Sequence, residues 1–161
     1  PRRGETFVPR KISLADANIV KGNQTEVWMG NLDAIRDWGY APEYTDGMWR
    51  MLQAKEPDTF VLATNRTSTV REFVRMSFKG AGIDVVFQGE GEQEKAIDQA
   101  NGKTVMRINP AFYRPAEVDL LIGDPTHALN KLGWAPQTDL ETLCQMMVEA
   151  DLRRNRAGFS F

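Results

Sequence analysis

The sequence predicts an α/β domain. Two observations carry this: apolar residues recur at helical spacing in several stretches, and short β-branched or aromatic runs lie between those stretches. The strands are too scattered to define a complete sheet. At 161 residues, with 42% apolar and 26% charged residues, the chain suits one folded domain, or a large piece of a bigger one, rather than a disordered segment.

The elements follow in order. Ile12, Ala15, Ile19 and Val20 share a face of a helix expected over residues 11–21, stopped by Gly22-Asn23. Residues 26–29 read as a short strand. Residues 41–55 read as a helix with Pro42 in its first turn, a buried stripe of Tyr44, Met48, Met51 and Leu52, and Gly47 admitting a close neighbour. The nearly all-apolar residues 59–64 predict a strand covered on both faces. A helix over 68–79 starts at a Thr67-Ser68 cap, turns Val70, Phe73, Val74 and Phe78 inward, and ends at Gly80 or Gly82. Strands are expected at 84–87 and 103–108, and the acidic, Gly-containing stretch 89–102 between them reads as a surface excursion. Asp124 and Pro125 open a helix over 125–132, closed by Gly133. Thr138-Asp139 open the last helix, 139–153, with Leu140, Leu143, Cys144, Met147, Val148 and Leu152 as its stripe.

Composition narrows the function. One cysteine, Cys144, excludes an internal disulfide framework and a multi-cysteine zinc site. One histidine, His127, argues against a histidine-rich metal site, and its mid-helix position reads as surface, so no metal is expected. A net charge of -2 speaks against non-specific nucleic-acid binding. There is no apolar run of membrane-spanning length and no secretory h-region, which together read as a cytoplasmic protein without membrane association. The start at Pro1, without Met, reads as a processed end or the interior of a longer chain, with the second favoured.

Three arginines stand outside helices or at their boundaries: Arg3, Arg36 and Arg114. Pro115 keeps Arg114 extended in an aromatic, Pro-rich loop, which suits bidentate contact with an anion such as phosphate. A surface pair with a nearby carboxylate is the plainer alternative. Glu117 suits either a pair with Arg114 or a pair of ribose hydroxyls. No strand–GxGxxG–helix unit is present, and Tyr40, Tyr44 and Tyr113 each lack a lysine four residues later. The residues alone therefore yield an α/β piece with several arginines suited to anions and no credible catalytic set.

Several segments are more particular. Pro1-Arg-Arg-Gly-Glu-Thr-Phe-Val8 with Arg10-Lys11-Ile12, Gly30-Asn-Leu-Asp-Ala-Ile-Arg-Asp-Trp-Gly39, Phe112-Tyr-Arg-Pro-Ala-Glu-Val118, Lys131-Leu-Gly-Trp134 and Met146-Met-Val-Glu-Ala-Asp151 resemble the C-terminal half of the GDP-mannose 4,6-dehydratases, a branch of the extended short-chain dehydrogenase/reductases. The likeness runs in register over nearly the whole chain. It departs at Pro9, Tyr40 and Asn65-Arg66, and the 89–102 stretch is shorter than in some members.

The resemblance implies that residues 1–161 form the GDP-sugar-binding C-terminal region, with the N-terminal Rossmann core missing. It implies a lyase of GDP-fucose and GDP-rhamnose biosynthesis that converts GDP-mannose to GDP-4-keto-6-deoxymannose with NADP as internal hydride carrier, assembled as a homodimer or homotetramer. Carried over by motif, Val8, Lys11, Arg36, Arg114 and Glu117 would grip the GDP-sugar and Arg3 would reach NADP. No catalytic residue would lie in this chain, which would be inactive alone. The alternatives are a stand-alone nucleotide-sugar binding module or a related GDP-sugar epimerase or reductase.

Overall fold

A computed structural model describes residues 3–113 and 122–157. Five helices, α1 (Val8–Val20), α2 (Ala41–Leu52), α3 (Val70–Gly80), α4 (Thr126–Leu132) and α5 (Leu140–Ala157), alternate with six strands: β1 (Val27–Met29), β2 (Ile35–Arg36), β3 (Ser68–Thr69), β4 (Val85–Gln88), β5 (Lys95–Asp98) and β6 (Thr104–Ile108). Four strands form a sheet in the order β1-β6-β5-β4, parallel only between β1 and β6. The short β2 and β3 pair antiparallel, Ile35 opposite Thr69 and Arg36 opposite Ser68.

Burial alternates along the four-stranded sheet except where the β5–β6 register shifts and both Val105 and Met106 are buried, so one face is covered and the other is largely wet. On the covered face, Val27, Met29, Val85, Ala96, Met106 and Ile108 meet apolar residues of α1, α3 and α5, including Ile12, Phe73, Phe78 and Met147. This two-layer core accounts for the helical stripes seen in α3 and α5.

The structure shifts several elements. The first helix begins at Val8, three residues before the expected start. The third is capped by Thr69, not by Thr67 or Ser68: the Glu72 N–H donates to Thr69 Oγ1 (3.1 Å) and the Thr69 N–H to Glu72 Oε2 (2.7 Å), a capping box. At the fourth, Pro125 stands at the cap and Asp124 accepts the Thr126 N–H from one residue further back. Asp139 caps α5 by accepting the Thr142 N–H (2.7 Å).

Three expectations are overturned. Residues 59–64 form no strand, because extended backbone becomes a strand only when a ladder partner is present, and none exists among the described residues. Residues 89–102 are not a plain excursion: they contain β5, whose Lys95-Ala-Ile-Asp98 sits between β4 and β6 with Ala96 fully buried. The α2 stripe is not buried either. Met48 is 56% and Leu52 82% exposed, and Trp49 beside them is 61% exposed. Only Gly47 is buried on α2, where a Cβ would lie 2.8 Å from Leu62 Cδ1 and 2.9 Å from Trp134 Nε1, so the close neighbour there is Trp134.

A buried polar cluster crosses the helical layer. Arg10 of α1 lies 3.2 Å from Asp151 of α5, and Ser13 Oγ donates to the same carboxylate (2.7 Å). One turn on, Asp16 is fully buried and accepts a hydrogen bond from Ser77 Oγ of α3, while its Oδ1 meets no donor among the described residues. Burial pushes the Asp16 carboxyl well above its ordinary value of 3.8; the Ser77 hydrogen bond opposes this, and the charge of Asp151 adds to it.

A carboxyl raised in the folded state favours folding most where the unfolded chain is also protonated, and that contribution is lost as pH rises toward the folded value. Asp16→Asn keeps an acceptor for Ser77 and removes the titration. The variant is therefore expected to exceed the parent in urea midpoint at about pH 8 and to approach it near pH 4. A parent–variant gap that does not change with pH contradicts this assignment.

Candidate functional site

The segment 30–38 runs from the end of β1 through β2, so that Arg36, expected in a loop, lies in a short strand, and most of the segment's side chains have structural work. Gly30 sits where the chain passes the 110–113 turn: a Cβ there would stand 2.7 Å from the Phe112 carbonyl oxygen. Asn31 Oδ1 accepts the Asp33 N–H (2.9 Å), and Leu32 is buried. Asp33 pairs with Arg71, whose Nε and Nη2 each lie 2.8 Å from the carboxylate oxygens of buried Glu94. This bidentate contact ties α3 to the turn before β5.

Asp37 accepts the Thr64 N–H (2.9 Å) and hydroxyl (2.7 Å), which pins the extended 59–64 segment beside β2. Trp38 packs on Phe73 with ring centroids 5.0 Å apart. Within Arg36-Asp37-Trp38, two members thus serve the fold. Arg36 is half-buried, donates through Nη1 to the Ile35 carbonyl (2.7 Å), and lines a cleft with Trp38, Thr64, Arg66, Ser68 and Thr138.

Val8 opens α1 and packs partly against the core. Lys11, one turn later, points at the short helical turn 110–112: its Nζ lies 4.1 Å from the centroid of the Phe112 ring. Partial burial lowers the Lys11 pKa, and the ring face offers the ammonium a favourable seat. The turn is held by Asn109, whose N–H donates to the Met29 carbonyl (2.8 Å) and whose side chain accepts from Ala111. Lys11 is therefore brought against a turn that ends two residues before Arg114. Arg114 and Glu117 themselves lie outside the described residues. Arg3 is exposed, its guanidinium 4.1 Å from the Phe7 ring centroid.

Sequence reasoning missed Arg66 and Glu43. Arg66 follows Asn65, whose φ of 56° is the only positive one at a non-glycine residue among the described residues, and it shares the Arg36 cleft. That Asn was the available signal. Glu43 Oε1 accepts the N–H of Gln137 and both the N–H and hydroxyl of Thr138, and its carbonyl accepts the Trp134 indole N–H (2.7 Å). It joins α2 to the approach of α5. His127 is exposed, 2.8 Å from Asp58 and stacked on Phe60, at the surface as expected. Among the described residues no group of three or more His, Cys, Asp or Glu is arranged to hold a metal, and no helix is long and apolar enough to cross a membrane.

Gly30→Ala is expected to displace the 110–113 turn, because its new methyl meets backbone rather than a side chain that can rotate away. The cost is about 1–3 kcal/mol. Paired shifts of the Tyr113 amide and the Lys11 ammonium by NMR would register it, and unchanged signals at both would show that the turn yields freely.

Comparison with known proteins adds three findings. The sequence pattern of the family described as GDP-mannose 4,6 dehydratase matches residues 1–147. The GDP-mannose 4,6-dehydratase of Yersinia enterocolitica is 46% identical over 164 aligned residues, covering 96% of this chain and 44% of that protein. The Sinorhizobium fredii protein of the same name is 49% identical, covering 94% and 43%. Among solved structures, RMD from Pseudomonas aeruginosa complexed with NADPH superposes with a TM-score of 0.75 at 16% identity, over 96% of this chain and 45% of that one. A dTDP-glucose 4,6-dehydratase from Bacillus anthracis gives 0.70 at 13% identity. The chain thus spans under half the length of the relatives it matches, and the fold is that of part of an extended short-chain dehydrogenase/reductase.

Proposed function

Because this chain belongs to the GDP-mannose 4,6-dehydratase family, we propose that it is the part of such an enzyme that grips the GDP-sugar. The reaction in question removes hydride from C4 of the mannose, expels water across C5–C6 and returns hydride to C6, giving GDP-4-keto-6-deoxymannose. NADP, when bound, supplies the acceptor and donor of that hydride. This chain offers it the exposed guanidinium fork of Arg3, a donor set that suits a phosphate.

The role of the chain's own residues is to bind and orient. The observation that carries the reading is the seat of Lys11 on Phe112, which holds the N-terminal turn of α1 beside the loop leading into Arg114 and Glu117. Val8 and Lys11 then meet the GDP portion from the helix. Arg36 and Arg114 present forks to the diphosphate, and Glu117 accepts from the ribose hydroxyls. A Rossmann half completes the enzyme. The exposed face of α2 and the extended 59–64 segment, where Val61 is 48% exposed, are apolar surfaces of the kind such a half would cover. With it come the glycine-rich cofactor turn and the Tyr-x-x-x-Lys pair. Assembly as a homodimer or homotetramer and a cytoplasmic location belong to the same reading.

Two outcomes test it. The 161-residue chain supplied with NADP and GDP-mannose should form no keto-sugar, since no residue here holds the cofactor's pyrophosphate on a glycine-rich turn; product formation would overturn the division of labour. In a chain that also carries the Rossmann half, Arg114→Ala and Arg36→Ala should each weaken GDP binding by about 1.5–3 kcal/mol per charge-assisted bond lost, leaving NADP binding nearly unchanged. Arg114→Lys should recover part of this, because it keeps charge without the fork. Calorimetric titration of GDP is the measurement, and unchanged affinity in both alanine variants would return these arginines to a structural role.

A further inference from the structure

The far edge of the sheet is unlike the rest of the surface. β4 is the terminal strand, and the Asp84 carbonyl accepts the Gln99 N–H (2.9 Å). Antiparallel alternation therefore turns the peptide groups of Val85 and Phe87 away from β5, toward the open edge. The Asp98 N–H, opposite Val85, is accordingly spent on the other side, on the Lys103 carbonyl (2.9 Å).

Alongside that edge runs a groove of about 450 Å³ between β4 and α3, lined by Arg75, Lys79, Asp84, Val85, Phe87 and Gln99. Arg75 and Lys79 are exposed and stand on one face of α3, four residues apart, which is about 6 Å along the helix axis. In an extended strand, alternate side chains are about 6.6–6.8 Å apart. A strand laid on β4 would thus present successive same-face side chains at nearly the spacing of the two cations. Arg75 rests 5.5 Å from the Phe87 ring centroid, which holds its charge over the groove. Lys79 has a 3.5 Å contact with Glu141, both of them about two-thirds exposed, which an incoming carboxylate can displace. Asp84, the one acid among the residues lining the groove, lies just before β4 and disfavours a further carboxylate at that end.

We propose that this edge is a docking site for an extended acidic segment with carboxylates at alternate positions, added to β4 as a fifth strand. Backbone pairing comes from Val85 and Phe87, and selectivity comes from Arg75 and Lys79. A second copy of this chain is the less suitable occupant. Two-fold pairing of β4 edges would set each α3 beside its equivalent, with Arg75 and Lys79 facing like charges.

The test uses a fluorescently labelled short peptide of alternating glutamate and valine, titrated with the full 161-residue chain and followed by anisotropy. Two control peptides accompany it: one with lysine in place of glutamate, and one with the same glutamates but N-methylated on the residues that would bond to β4. The glutamate peptide should bind and the lysine peptide should not. Affinity should fall about tenfold or more on N-methylation and in Arg75→Glu and Lys79→Glu, whose exposed positions should leave the melting temperature near that of the parent. Hydrogen exchange should slow at the Val85 and Phe87 amides when the glutamate peptide is bound. Absence of binding, equal affinity for the N-methylated peptide, indifference to both charge reversals, or a dimer of the chain that blocks the peptide would each overturn the proposal.

Discussion

The ion pair between Arg10 and Asp151 sets the frame on which the rest hangs. It joins the first helix to the last at 3.2 Å, with both side chains almost wholly removed from solvent. Such a pair adds little net stability, because desolvating two charges offsets most of their attraction. What it does enforce is register. With Ser13 on the same carboxylate and Arg154 reaching it from within α5, only one axial position of α1 against α5 satisfies every charge. That position carries Lys11 to the turn at 110–112. The geometry proposed for nucleotide-sugar binding is thus a consequence of how two helices at opposite ends of the sequence are locked together.

Legibility in the sequence tracked how local each cause was. Helices announced by their own stripes were readable: α3 with Phe73, Val74 and Phe78, although its cap falls at Thr69, and α5 with its Asp139 cap and Leu143-to-Val148 face. β5 was missed because Lys95-Ala-Ile-Asp98 has little apolar signal of its own; it is a strand because β4 and β6 flank it. Residues 59–64 mislead for the converse reason. Their composition is that of a doubly covered strand, but the neighbours that composition implies are not among the described residues. Likewise α2 has the apolar residues of a buried helix but leaves Met48, Trp49 and Leu52 exposed and Tyr44 and Met51 half-buried. Both discrepancies have the same sense, apolar surface without a cover, and they fall in a chain that spans under half of its relatives.

The site was legible in part. Residue type and loop context singled out Arg3, Arg36, Arg114 and Glu117, while the roles of Val8 and Lys11, and the reach of Arg3 to NADP, came only through family likeness. Spacing in the sequence could not reveal that Asp37 and Trp38 serve the fold whereas Arg36 lines a cleft, because that division depends on Thr64 and Phe73, both distant in the chain. Nor could it pair Lys11 with Phe112.

The parallel pairing of β1 with β6 bears on how the chain assembles. β4, β5 and β6 form a meander of neighbouring hairpins, whereas Val27 must find Met106 across about half of the sequence. Closing so long a loop costs configurational entropy that only the later contacts offset, so topology places the meander early and the docking of β1 late. α1 directly precedes β1, and its partner α5 follows the whole meander, so the Arg10–Asp151 contact must wait for the intervening sheet and helices to emerge during synthesis. Until then α3 alone covers the meander, and the part of its face that α1 and α5 later bury stays open to water.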